Sequence, residues 1–241
     1  MSYYALYWLL GLIVLPGIIL ASIAQIKVYN TYNKMRLVNT QKGLTANQIA
    51  REVLDNNGLT DISLTTTNNE LGDHYHPKKK YIALSPGVSN SSSIASVGIA
   101  MHEVGHALQD SQGYFFSGLR KFLCPLVNFC SVALWPLVII GMIFSFGGAS
   151  GSVFGDVCLY SGIAFFGMSV LFSLINLPTE LDASKRAMNV LREQGYMDEE
   201  ELAGVKQVLS AAAMTYVASL LVSILNLLRF LLSVLLIRNN E

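Results

Sequence analysis

Charge is scarce in this 241-residue chain. Asp, Glu, Lys and Arg make up 13% of it and hydrophobic residues 52%, whereas an ordinary soluble domain carries about 25% charged residues. The deficit points to a membrane. Neither sign of charge is in excess: sixteen basic residues balance sixteen acidic ones, so the broad basic footprint of a nucleic-acid-binding protein is missing and no nucleic-acid partner is expected. Cysteine is nearly absent. Cys124, Cys130 and Cys158 lie in or beside apolar segments and form no Cys-x-x-Cys pair. They read as small apolar residues of packed or lipid-facing helices, and a disulfide framework or a thiolate zinc site is excluded. Histidine is limited to four residues, which gives weight to where they fall.

Long apolar runs are what the chain does have. Four of them, at residues 3–26, 122–146, 157–177 and about 214–237, meet the requirement of about 20 apolar residues for a membrane helix. The first contains Pro16-Gly17, which a membrane helix tolerates. It is read as a retained span, because no Lys or Arg precedes it and its apolar run exceeds that of a signal peptide. The chain is therefore expected to be a mainly α, polytopic membrane protein with a small α+β insertion. Its plan is a first transmembrane helix over 1–26, a polar region over 27–121, a transmembrane hairpin over 122–177, a polar helical region over 178–213, and a last span with a short tail over 214–241.

Basic residues set the expected orientation. Lys27, Lys34, Arg36, Lys42 and Arg51 follow the first run, Arg120 and Lys121 precede the second, and Lys185, Arg186 and Arg192 follow the third. The N-terminus and the stretch near 147–156 have none. The positive-inside rule then places 27–121 and 178–213 on the cytoplasmic side and both termini outside, with Arg238 as the one contrary charge. Arg229, inside the fourth run, is expected to face the bundle or to snorkel; a catalytic role is the other reading.

The most informative motif is His102-Glu103-Val104-Gly105-His106. Residues four apart on a helix share a face, so both imidazoles can grip one ion. Glu103, beside the first of them, is placed to act as the base on a water activated by that ion. Residues 94–100 are small and apolar, so this helix enters a packed interior. Gly105, between the histidines, leaves room for another backbone or a substrate to approach closely.

Around the motif, Thr45 reads as the N-cap of a short amphipathic helix stopped near Gly58. Residues 62–67 and 81–84 alternate as strands, and 89–93 form a polar loop with Ser92 or Ser93 as the cap of the motif helix. The run Gly72-Asp73-His74-Tyr75-His76-Pro77 reads as a turn leading to the second strand. Within it, His74 or Tyr75 is a candidate hydrogen-bond donor to the developing oxyanion; the other reading is a shaped turn with solvated histidines. Lys78, Lys79 and Lys80 form a solvated face that anionic lipid headgroups would suit. Residues 198–201 read as an acidic helix start. An edge strand beside a metal would bind an extended peptide through its backbone.

A catalytic zinc takes three protein ligands and keeps an open position. The second polar region offers Pro178-Thr179-Glu180-Leu181-Asp182-Ala183-Ser184, with Pro178 where a helix would start and Glu180 in its first turn. The two motifs together resemble the membrane zinc metallopeptidases of the YugP type, found in bacteria. The likeness covers Asp73-His74-Tyr75, residues 102–109, residues 178–184 and residues 211–216. More broadly they are similar to gluzincin peptidases of the HtpX kind. The resemblance implies one zinc ion per chain on His102, His106 and Glu180, with Glu103 as base, in a multi-pass protein of the bacterial cell membrane acting on peptides or membrane proteins. The HtpX kind has an aspartate where this chain has Ser184, and the YugP type an acidic residue where it has His76. Two alternatives stand beside this. One is a site-2-type intramembrane protease, for which Asn176, Pro178, Leu181 and Asp182 would serve; against it, the apolar lead into the motif helix is too short to span. The other is a non-catalytic membrane protein with a structural zinc site.

Overall fold

The computed structural model describes residues 9–70, 72–146 and 153–238. The beginning of the first apolar run, the centre of the loop between the second and third, and the last three residues lie outside them, as do the two termini whose side was read from charge.

The chain is mainly helical, with four helices long and apolar enough to cross a membrane and one small sheet. A 3-10 turn (Leu12–Val14) leads into α1 (Leu15–Met35). Pro16 has no N–H to give to the carbonyl of Leu12, four residues back, and the Leu15 N–H takes that carbonyl instead. This is how the run absorbs Pro16-Gly17. Then come α2 (Ala46–Asn56), β1 (Ser63–Thr66), β2 (His74–His76), β3 (Tyr81–Leu84), α3 (Pro86–Ser89), α4 (Ile94–Ser111), α5 (Phe115–Phe146), α6 (Val153–Glu193) and α7 (Glu199–Arg238). The spanning helices are α1 with its leading turn, α5, α6 and α7. They leave large apolar side chains such as Ile19, Phe122, Phe129, Val132 and Trp135 more than half exposed. Such residues would be a liability in water and are at home in lipid.

The chain divides into two compact units. One comprises the described residues within 1–23, 119–177 and 216–241 and is entirely helical. Its helices approach closely at glycine, with Gly17 under Val222 and Leu225, Gly141 under Leu159, and Gly162 under Phe230. Packing on small residues is the usual means of helix association where no hydrophobic drive exists. Arg229 belongs to this unit, with its guanidinium beside Gly11. Cys130 and Cys158 are buried in it, Cys124 is exposed, and all three are free thiols.

The other unit comprises residues 24–118 and 178–215 and holds His74, Tyr75, His102, Glu103, His106 and Glu180. Its core joins Ile49, Val53 and Leu54 of α2, Ile82 and Leu84 of β3, Val97, Met101 and Val104 of α4, Leu191 of α6, and Leu202 and Val205 of α7. A capping box starts α2, with Thr45 and Gln48 each accepting from the other's backbone. Gly58, at φ +73°, provides its left-handed exit. Ser93 caps α4 by accepting from the Ser96 N–H.

Two features differ from the sequence reading, and a third extends it. The sheet has three strands in the order β1-β3-β2, because His74–His76, expected as a turn, pairs antiparallel with β3; β1 pairs with β3 in parallel. Asp73 anchors that pairing by accepting from the Ser85 N–H at 2.7 Å. Pro178 lies inside α6 and does not start a helix. Its fixed φ suits a helix, so the cost is one missing hydrogen bond to Leu174 and the strain of its ring. The acidic start at 198–201 and the last span are likewise one unbroken helix, α7.

Candidate metal centre

The helix α4 sets the geometry. With 3.6 residues per turn, His102 and His106 come to one face, their rings edge to face at 4.7 Å. Glu180 of α6 is brought against them and is 2% exposed. Its Oε2 lies 3.1 Å from His102 Nε2 and 3.4 Å from His106 Nε2. One donor atom from each of the three residues falls within 4.8 Å of the others, and no other such group of His, Cys, Asp or Glu occurs among the described residues.

The approach of α4 and α6 depends on Gly105. A Cβ there would stand 2.4 Å from the carbonyl oxygen of Ala183. The outward nitrogens of both imidazoles are engaged. His102 Nδ1 lies 3.1 Å from Ser184 Oγ, and His106 Nδ1 lies 3.0 Å from Gln109 Oε1. Ser184 thus stands where the HtpX kind has its aspartate, and it still reaches the imidazole. Gln109 is fully buried and donates through Nε2 to the Thr179 carbonyl at 2.7 Å and to Asp182 Oδ2 at 2.9 Å. Asp182 accepts in turn from Arg186 Nε. Asp182 is not part of the donor cluster: two positions from Glu180, it does not share that residue's face of α6.

Glu103 is 9% exposed. One of its oxygens, Oε2, accepts the backbone N–H of Tyr75 at 2.8 Å. Burial pushes its carboxyl above the ordinary carboxylate range, against the opposing pull of His102 and His106. Burial works against a charged His106, but hydrogen bonding to Glu180 and the charge of Glu103 prevail and lift its pKa.

The two oxyanion candidates are placed differently. Tyr75 meets the site through its backbone; its hydroxyl donates to Asp110 Oδ2 at 3.0 Å, and burial together with Asp110 raises its pKa. His74 is exposed on the outer face of the sheet, with Nδ1 on the Gly72 carbonyl and its ring edge-on to Tyr81. His76 lies against the same Tyr81 ring. Gln109, Thr179 and Asp110 were not singled out from sequence. Only Gln109 carried a usable cue, its position three residues after His106 on the same helical face.

Two imidazole nitrogens and one carboxylate, converging from two helices with nothing else of the described residues closing the group, fit a zinc ion with an open position. The fold and this cluster define a polytopic membrane protein with a His-Glu-x-x-His group that could hold a metal ion. The chain belongs to the family described as "Putative neutral zinc metallopeptidase", matching it over residues 10–235. It is 40% identical over 210 residues to the "Putative membrane protease YugP" of Bacillus subtilis (strain 168), covering 87% of this chain and 89% of that protein. No solved structure matches the chain significantly.

Proposed function

We propose that this protein is a zinc metalloendopeptidase of the cell membrane, with its site on the cytoplasmic side. The observation that carries the reading is the convergence of His102, His106 and Glu180 beside a buried Glu103. Those three residues would hold one zinc ion per chain. When bound, zinc supplies Lewis-acid polarisation of the scissile carbonyl and lowers the pKa of water to about 7.

The remaining work falls to the chain. Tyr75 occupies Glu103 Oε2 through its N–H, which aims the carboxylate and leaves Oε1 for the attacking water. Glu103 Oε1 takes one proton from the water as its oxygen bonds to the carbonyl carbon. The same proton then passes to the departing nitrogen as the C–N bond breaks, and the water's second proton moves from the new carboxyl group to the amine, leaving a carboxylate and an ammonium. β2 is an edge strand of the sheet, and an extended substrate backbone laid along it would lie beside Glu103, which already holds the Tyr75 N–H. With four spanning helices in the same chain, membrane proteins and extended or lipidated peptides are the substrates we favour. His74, on the outer sheet face, is a weaker candidate for contact with such a substrate than Tyr75.

The cytoplasmic assignment rests on the clusters of Lys and Arg flanking the first three apolar runs. The ligand assignment is tested by metal analysis of the purified, detergent-solubilised protein beside Glu180→Ala and Asp182→Ala. The reading expects Glu180→Ala to lose the ion and Asp182→Ala to retain it, weakened. The reverse pattern would favour a ligand set like that of the site-2 proteases.

A further inference from the structure

Gln109 has no freedom in how its amide lies. Its Nε2 faces two groups that only accept, the Thr179 carbonyl at 2.7 Å and the Asp182 carboxylate at 2.9 Å. Asp182 Oδ2 also accepts from Arg186, whose Nε lies 2.5 Å away and whose guanidinium covers the Tyr114 ring at 5.6 Å. Turning the amide over would set its oxygen against two acceptors in a fully buried place, where an unsatisfied polar atom is costly. The nitrogen must therefore face α6, and the oxygen must face His106. An amide oxygen only accepts, so the His106 Nδ1 at 3.0 Å must carry a proton. The lone pair of the neutral ring is then at Nε2, the atom that belongs to the donor cluster.

His102 has no such constraint. Its Nδ1 partner is the Ser184 hydroxyl at 3.1 Å, and a hydroxyl rotates to donate or accept as required. The two histidines of the motif are thus held by unlike devices, one that dictates a tautomer and one that follows it.

We propose that Gln109 is a positioning residue that fixes the metal-facing tautomer of His106, its amide locked one way round by Thr179, Asp182 and Arg186. The device is directional: Arg186 donates to Asp182, Gln109 donates to Asp182 and Thr179, and His106 donates to Gln109. It links the end of the motif helix to the helix that carries Glu180, so the orientation of one ligand is set by the element that supplies another. This inference rests on the zinc reading above.

The test is zinc affinity, measured by chelator competition on the full-length protein in detergent, for the parent, Gln109→Leu and Ser184→Ala, together with the histidine tautomers of the metal-free parent and Gln109→Leu. Replacing the outer partner of a metal-bound histidine typically weakens binding on the order of 10- to 100-fold, and Gln109→Leu is expected in that range. Ser184→Ala is expected to lose less. In the metal-free protein with neutral rings, nitrogen-15 spectra should report a protonated Nδ1 for His106 in the parent and a mixture of tautomers in Gln109→Leu, which a role in packing alone would not explain. Should Gln109→Leu not fold, nitrogen-15 histidine spectra of the zinc-saturated parent decide alone: with four histidines in the chain, His106 must show a protonated Nδ1 and a metal-bound Nε2. A metal-bound Nδ1, or unchanged affinity in a folded Gln109→Leu protein, overturns the inference while leaving the zinc site standing. A parent that binds no zinc overturns the zinc reading itself.

Discussion

Gly105 lies flat against the backbone of Ala183, so closely that a single added carbon would sit 2.4 Å from the Ala183 carbonyl oxygen. The contact is backbone to backbone, and no side chain can swing aside to relieve it. It sets the distance between the helix bearing the two histidines and the helix bearing Glu180. Gly105→Ala must therefore push α4 and α6 apart at the donor cluster. We expect a loss of about 1–3 kcal/mol in stability, the usual range for overpacking, together with weakened zinc binding. Chemical unfolding and zinc titration of the purified variant check both. By contrast, Gly113 has nothing within 4 Å of its Cβ position but adopts φ +65°, so Gly113→Ala should cost stability through backbone strain without changing metal affinity.

The contributions of Glu103 and His106 to the stability of the chelated, metal-free protein should fall as pH rises. Burial raises the Glu103 carboxyl above 4.5, so folding favours its protonated form. That contribution is complete below the ordinary carboxylate range and is lost as pH climbs through the raised value. His106, raised above 6.5, acts in the same direction: its contribution is complete below that value and disappears as pH passes the folded pKa. Glu103→Gln replaces the titrating group with a neutral amide of the same shape. Melting temperatures of parent and variant, both in chelator, should diverge in the variant's favour from pH 4 to pH 7. A constant difference across that range would contradict the assignment of the shift to Glu103.

Much of this architecture is legible in the sequence because its causes are local. A run of about 20 apolar residues is sufficient to mark a spanning helix. Thr45 with Gln48, Gly58 and Ser93 mark helix ends through hydrogen bonds or backbone angles within a few positions. The pairing of His102 with His106 follows from helical pitch. The rest has distant causes. Three residues at 74–76 are too few to declare a strand, and the bonds of Asp73 to Ser85 and of Tyr75 to Glu103 span 12 and 28 positions. Pro178 reads as a helix start because its missing N–H is free of cost there, yet here the apolar helix before it continues through. The tie from Gln109 to Thr179 and Asp182 crosses 70 and 73 positions, so only the packing of α4 on α6 reveals it.

Topology is open to a direct check. If 27–121 and 178–213 are cytoplasmic, single cysteines placed at the exposed Lys79 and Lys206 in a background lacking Cys124, Cys130 and Cys158 should react with a membrane-impermeant maleimide only after cells are opened. Labelling of either site in intact cells would place that region outside.

The capping box of α2 predicts a modest and separable effect. Thr45→Ala removes the acceptor for the Gln48 N–H and one half of the reciprocal pair. We expect a loss of about 0.5–2 kcal/mol with unchanged zinc affinity, since neither residue touches the donor cluster. Equal losses of stability and metal binding would show that α2 is coupled to the site.

The central claim is hydrolysis with Glu103 as the base, and the most direct measurement is zinc content and peptide cleavage of the parent and Glu103→Gln, purified side by side. The glutamine keeps an oxygen for the Tyr75 N–H and cannot take a proton from water. We expect one zinc per chain in both proteins, cleavage by the parent, and a rate lower by roughly 10²–10⁴-fold in the variant. A variant that holds zinc and cleaves at the parent rate would contradict the role of Glu103, and a parent without zinc would contradict the account as a whole.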